Sequence, residues 1–320
     1  MTTAPPLNPA PWAFAAPWGA RGYVTDLDGP VHWIEFAPRD GSDDSPDGTP
    51  LVFVHGLGGS HLNWCLIGPG LADGRRAVAL DLHGFGLTPG SRATATVERN
   101  TRLLDRFVRE VTGTPVILAG NSMGGLISLM QTAAAPETVR GVVLIDPALP
   151  PPRQTPDRQV AGQFLLYAVP GLGELYVRAV MSRRPPELVV QRVIELCFAD
   201  PSGADPAMLT ASIALAAERQ RRKHPNAAAF LAASRSLMRL VGQRHRYWEM
   251  MAAVRVPVLL IGGEADRLVP PAAMRQAAAR NPRWETVMLV GVGHTPQLEA
   301  PDRVIGTVRD WLGKITPGTR

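Results

Sequence analysis

Short, uninterrupted apolar runs set the frame of this chain: Leu51 to Val54, Val116 to Ala119, Gly141 to Ile145 and Pro257 to Gly262. Runs this short, with no polar alternation, suit strands buried on both faces of a parallel sheet. Arg76 to Leu80 and Glu285 to Val290 read as two further strands, and Gly22 to Thr25 with Val31 to Ala37 form a hairpin around Asp28-Gly29. Helical segments fall between them at about 96–111, with Thr94 or Thr96 as N-cap, and at about 126–134, 271–280 and 297–314. Strands and helices that alternate in this way predict an α/β fold: a mostly parallel, eight-stranded sheet with helices on both faces.

The pattern changes at Pro147. Pro147-Ala148-Leu149-Pro150-Pro151-Pro152 is a stiff exit, and about a hundred residues follow without a convincing strand. Prolines mark off helix-length segments there at about 154–168, 171–182, 187–199, 205–223, 226–240 and 243–253. The expected organisation is an extended N-terminal arm (1–21), a core made of 22–146 and 252–320, and an all-helical insertion (147–251) over the sheet. The arm is punctuated by proline, and Trp12, Phe14 and Trp18 could staple it to the body. Residues 38–49 lack hydrophobic side chains and read as a surface loop.

Composition excludes some classes. With 45% apolar and 19% charged residues, the 320-residue chain can bury a sizeable core and is not globally disordered. The net charge of +5 raises nucleic acid as a partner, but the basic residues are scattered among acidic ones. The one dense run, Arg221-Arg222-Lys223-His224, reads as a solvated turn rather than a binding groove. Cys65 and Cys197 belong to no CxxC or Cys/His cluster, so neither a metal nor a disulfide framework is implied. The N-terminus lacks a basic n-region and a continuous apolar stretch, and no later segment reaches the ~18 apolar residues of a membrane helix. A soluble cytoplasmic protein with no cofactor, no nucleic-acid partner and no stable membrane insertion is the expectation.

The candidate chemistry sits at strand ends. Gly120-Asn121-Ser122-Met123-Gly124 turns sharply from a buried strand into a helix, the G-x-S-x-G context of a nucleophile elbow. Glycine is needed two residues either side of Ser122 because strand and helix nearly touch there. A serine hydroxyl needs a base to take its proton and a carboxylate to orient that base. His294, in a glycine-flanked turn after the last strand, is the candidate base, and Asp266, one strand earlier, is the candidate acid. The order Ser122, Asp266, His294 matches the order in which such elbows present a triad. Glu264 and Asp146 are competing acids; Asp146 ends the strand after the elbow. Backbone N–H groups of Met123 and Leu57 are the candidate oxyanion hole, Leu57 belonging to the loop His55-Gly56-Leu57-Gly58-Gly59-Ser60. His55 reads as a structural histidine holding that loop, and Asp81 as a strand-end acid bonding loop amides.

His55-Gly56, the Gly120-to-Gly125 elbow, Gly263-Glu264-Ala265-Asp266 and Gly293-His294-Thr295-Pro296-Gln297-Leu298-Glu299-Ala300-Pro301 together resemble the α/β-hydrolase superfamily over about 22–147 and 252–314. The resemblance implies an esterase, lipase, thioesterase, lactonase or C–C bond hydrolase with a helical cap where 147–251 lies. Dehalogenases and epoxide hydrolases of this fold use an aspartate nucleophile, so Ser122 argues against both. His83 and Thr88 depart from a common pattern of arginine and serine. The insertion offers Phe164, Leu165, Leu166, Tyr167, Tyr176, Phe198, Met208, Met238, Trp248 and Met251, most of which read as core, although an apolar cap over a serine site favours an apolar acyl or alkyl group in a small-molecule ester. Arg235 and Arg239 lie one turn apart and could pair a substrate carboxylate, although a solvated face is the better expectation. A C–C hydrolase is disfavoured because Thr295, not Trp, follows His294. A non-catalytic ligand-binding homologue is the reading from another class.

Overall fold

The computed structural model describes residues 8–9, 14–37, 48–152, 158–222 and 227–315. Its sheet contains β1 (Asn8–Pro9), β2 (Ala20–Asp26), β3 (Pro30–Phe36), β4 (Leu51–Val54), β5 (Ala77–Leu80), β6 (Val116–Asn121), β7 (Val139–Ile145), β8 (Val258–Gly263) and β9 (Glu285–Leu289). They lie in the order β1-β2-β3-β5-β4-β6-β7-β8-β9. The pairs β1/β2, β2/β3 and β3/β5 are antiparallel, and all pairs from β5 through β4 to β9 are parallel. Eight of these strands are those the apolar runs predict. The addition is β1, two residues pairing Asn8 with Val24 and Pro9 with Tyr23. Proline is tolerated there because this is the sheet edge, where a missing N–H breaks no central ladder.

The helices are α1 (Gly68–Leu71), α2 (Val97–Phe107), α3 (Met123–Ala134), α4 (Arg158–Ala168), α5 (Leu172–Arg183) and α6 (Pro186–Cys197). They continue with α7 (Pro206–Arg221), α8 (Ala227–Gly242), α9 (Arg244–Ala253), α10 (Pro271–Arg280), α11 (Pro296–Glu299) and α12 (Pro301–Ile315). The segment expected as one terminal helix is two, broken between Ala300 and Pro301. Pro301 has no N–H to donate into a continuing helix, and its ring would clash with the turn before it.

Alternate residues of the central strands feed two cores. Val52, Val54, Leu118, Val142, Leu144 and Leu260 face one cluster, with α2, α3, α9 and α10 supplying its other wall. Leu51, Phe53, Ile117, Val143, Ile145 and Ile261 face the second, against α1 and α12. Both faces of each central strand are therefore apolar, which is why the runs lack alternation. Phe14 and Trp18 pack on the second cluster. Trp12, residues 38–47 and Lys223-His224 lie outside the described residues.

Parallel strands all point their C-termini toward one edge, and the turns after β4 to β9 gather there. That edge is where an open α/β sheet presents ligands. Between β7 and β8 the described chain forms six helices, α4 to α9, and contains no strand.

Candidate active site

Ser122 sits between β6 and α3 with φ 54° and ψ −117°, a left-handed conformation that non-glycine residues avoid. The tightness around it explains the glycines. A Cβ at Gly120 would lie 2.4 Å from the carbonyl oxygen of Gly124, and one at Gly124 would lie 2.0 Å from that of Val54. Hydrogen bonds fix the turn: Ser122 N–H donates to Ile145 O at 3.1 Å, and Ala148 and Leu126 N–H donate to Ser122 O at 2.9 and 3.2 Å. Ser122 is partly exposed while Asn121 and Met123 beside it are buried.

His294 and Asp266 meet. His294 Nδ1 donates to Asp266 Oδ2 at 2.7 Å, and both residues are buried. The other carboxylate oxygen of Asp266 accepts the N–H groups of Leu268 and Val269 at 2.7 and 3.0 Å. Those donors fix the carboxylate, which in turn fixes the imidazole with Nε2 left as the basic nitrogen. Asn121 joins the two halves of the site: its Nδ2 donates to His294 O at 3.1 Å and to Ile145 O at 3.0 Å.

Asp146 has a different task. It is fully buried, has φ 38°, and its two oxygens accept the Gly263 N–H at 3.1 and 3.0 Å. Burial pushes its carboxyl well above the usual carboxylate range, and the facing charge of Asp266 pushes the same way. Asp146 therefore faces Asp266 with its charged form disfavoured, behind the carboxylate that holds the histidine. Glu264 is exposed, and its backbone pairs with Leu289.

The loop after β4 is built around bare backbone. Gly59 N–H donates to Gly56 O at 3.1 Å and Gly58 has φ 80°, a type II turn with Leu57 at its second position. A Cβ on Gly56 would stand 3.1 Å from that of Ser122, so loop and elbow touch. Met123 opens α3, and the first N–H groups of a helix have no acceptor within it. His55 is structural: Nδ1 donates to Gly56 O at 2.8 Å and Nε2 accepts from Leu82 N–H at 3.1 Å. Burial lowers its pKa to about 4, so it is held neutral.

Asp81 accepts four donors, the Nδ1 groups of His32 and His61 at 2.8 and 2.9 Å and the N–H groups of His61 and Leu87 at 2.7 and 2.8 Å. Burial alone would raise its pKa, but His61 and His32 hold it well below the carboxylate range. His32, His61 and Asp81 are the kinds of side chain that bind metals, and their ligand atoms lie within 4.8 Å of one another. With its oxygens taken by N–H donors, this carboxylate is arranged for hydrogen bonding rather than coordination. Thr88 joins the same network, accepting His32 N–H at 2.9 Å.

Several sequence expectations need correction. Arg235 is not free for a substrate carboxylate: it pairs with Glu174 at 2.8 Å and donates to Tyr167 O at 2.9 Å. Arg239 pairs with Glu98. Leu165 points to solvent, and Trp248 carries Arg280 over its ring at 4.9 Å. The aromatic ring that reaches the Leu57 loop is Phe230 of α8, 3.6 Å from a Cβ built on Gly58. Sequence reasoning also missed a clamp beside His294. The Glu299 carboxylate accepts Gly293 N–H at 3.1 and 3.0 Å, Thr295 N–H at 3.4 Å, and Ala199 N–H at 2.7 Å from the exit of α6. His294 N–H itself donates to Cys197 O at 2.6 Å. The only signal was Glu299 inside the motif that resembles the superfamily; its partner in the insertion, Ala199, lies a hundred residues away.

A strained elbow, a buried Asp-His pair and this strand order correspond to a known group. The sequence profile described as the Alpha/beta hydrolase family matches residues 51–307. The chain belongs to that family. A relative from Pseudomonas putida, the dihydrolipoyllysine-residue acetyltransferase component of an acetoin cleaving system, is 29% identical over 261 residues. The match takes in 80% of this chain but only 61% of that protein, so the chain spans about three-fifths of its length. The magnesium-chelatase 30 kDa subunit of Rhodobacter capsulatus is 29% identical over 320 residues, 96% of this chain and 99% of the relative. Among solved structures, a thermophilic esterase from Thermogutta terrifontis superposes with a TM-score of 0.67 at 22% identity, covering 92% of this chain and 97% of its own. At that identity the likeness establishes the fold alone.

Proposed function

We propose that this hydrolase cleaves a carboxylic ester through an acyl-serine intermediate. Ser122 Oγ attacks the ester carbon while His294 Nε2 takes its proton. The oxyanion is held by the N–H groups of Met123 and Leu57, each worth roughly 3 kcal/mol of barrier. The C–O bond then breaks, and the departing alcohol takes the proton from His294. Water attacks the acyl-serine with His294 again as base, which releases the acid and restores Ser122. Residues 147–251 would act as the cap, and Phe230 against the Leu57 loop supports an apolar acyl or alkyl group. Thioesters and lactones fit the same steps.

One observation carries this reading. Through Asn121, the strained elbow of Ser122 shares hydrogen bonds with the loop of a histidine whose ring is bound to a buried aspartate. The test is fluorophosphonate labelling with peptide mass spectrometry, beside hydrolysis of p-nitrophenyl esters of graded acyl length. An adduct on the Ser122 peptide is expected, with Ser122→Ala losing both adduct and turnover. Turnover that persists in Ser122→Ala would sink the mechanism.

A second reading rests on the end-to-end match with a protein named as a magnesium-chelatase subunit. In it the chain works as part of such a complex. Co-elution with the other chelatase components of the same organism would favour it, particularly if Ser122→Ala leaves chelation unaffected.

A further inference from the structure

Seven large apolar side chains stand exposed among the described residues, and six of them lie on α4, α5, α6 and the turn joining the first two. The α4–α5 hairpin is sided. Tyr167 and Val177 turn inward onto Leu231 of α8, and Arg235 of α8 grips the hairpin through Glu174 and Tyr167 O. Residues two positions away on a helix point about 200° round, to the opposite face. Leu165 and Leu175 hold that place relative to Tyr167 and Val177 and are 68% and 66% exposed; Leu172, at 56%, and Val169 complete the tip.

The surroundings are cationic. A groove of about 400 Å³ between α5 and α6 is lined by Tyr176, Arg184, Leu188, Gln191, Arg192 and Glu195. Glu195 in the groove lies 3.7 Å from Arg192, and Glu174 is already paired with Arg235. An exposed apolar face on α4–α5, with Arg184 at the far end of α5 and Arg192 on α6, matches a lipid bilayer: the leucines suit the acyl boundary and the guanidiniums suit anionic headgroups. None of the described helices is long and apolar enough to cross a membrane, so the arrangement is one that lies on the surface.

We infer that the outer face of α4–α5 docks this protein on anionic lipid bilayers, with the Arg184/Arg192 groove receiving headgroups. The inference is independent of the reaction at Ser122. The test is sedimentation of the full chain with phosphatidylglycerol-containing vesicles and with pure phosphatidylcholine vesicles. Two variants accompany it: Leu165→Gln/Leu172→Gln/Leu175→Gln, and Arg184→Gln/Arg192→Gln. All five side chains sit outside the packed interior, and circular dichroism checks that the fold is retained. The expected result is binding to the anionic vesicles, weakened by salt, reduced at least ~10-fold in the leucine variant and selectively on anionic vesicles in the arginine variant. No sedimentation with anionic vesicles, or binding that the leucine variant leaves unchanged, would overturn it. So would light scattering showing a dimer that the leucine variant dissolves, which would make the face a contact between copies.

Discussion

At the scale of single residues, two buried aspartates lie close together, and their surroundings divide the work. Asp266 bonds His294 and carries two backbone donors on its other oxygen, which hold its carboxylate against the imidazole. Asp146 meets one backbone N–H and a neighbouring carboxylate, and burial together with that facing charge pushes its carboxyl up. Asp266→Asn would keep the shape but favour the wrong histidine tautomer, a change that costs on the order of 10⁴ in kcat in a comparable triad. Asp146→Asn keeps a neutral donor facing Asp266, and a loss of no more than about tenfold in kcat is expected, or ~1.4 kcal/mol. Steady-state kinetics of the two variants decide it, and the reverse ranking would move the acid to β7. Ser122 and His294 stand out in the sequence as candidates because each is announced by glycines and a strand within a few positions. Asp266 is preferred to Asp146 only on chain order, because both end strands; the contact of Asp266 with His294 is what tertiary structure adds.

At the scale of elements, the apolar runs located the central strands because residues buried on both faces leave no other pattern. A two-residue edge strand such as β1 carries no comparable signal. Helix phase is a harder case: α4 and α5 offered apolar side chains all round, and nothing local said that Tyr167 would face α8 and Leu165 the solvent. Glu299 is the instance with most consequence. It ties the residues flanking His294 to the exit of α6, so the seating of the helical insertion and the backbone of the histidine share one carboxylate. Burial raises its pKa, against the pull of its three amide donors. Glu299→Ala is expected to lower kcat about tenfold or more, since the orphaned N–H groups of buried Gly293 and Thr295 each cost ~1–3 kcal/mol. Glu299→Gln, which keeps one acceptor oxygen, should recover part of that loss. Hydrogen exchange supplies a second readout: the amides of Ala199, Gly293 and Thr295 should all quicken in Glu299→Ala. Acceleration at Gly293 without Ala199 would mean the carboxylate does not couple the two segments.

At the scale of the whole molecule, buried titratable groups set opposing slopes of stability against pH. His55 is neutral in the fold with its pKa lowered to about 4 by burial, whereas an unfolded histidine titrates near ~6.5. As pH falls through that window the unfolded chain binds a proton the folded chain refuses, so stability is lost from ~6.5 down to about 4. A shift of that size corresponds to ~3 kcal/mol. His32 is lowered by burial as well and adds to the same flank. Asp146 works in the other direction. Its folded pKa is raised, so its stabilising share is present below the unfolded carboxylate value near ~3.9 and is lost as pH rises through the folded one. Urea unfolding from pH 4 to 8 separates the two flanks by difference. His55→Gln should be less stable than the natural chain at neutral pH, because it disturbs the bonds to Gly56 and Leu82. Its deficit should narrow by ~3 kcal/mol as pH approaches 4, since it has no imidazole to charge. Asp146→Asn should gain on the natural chain as pH rises, since the amide has no proton to lose. A His55→Gln deficit that stays constant with pH would show that the imidazole charges inside the fold, and the neutral His55 that holds the Leu57 loop would then be wrong.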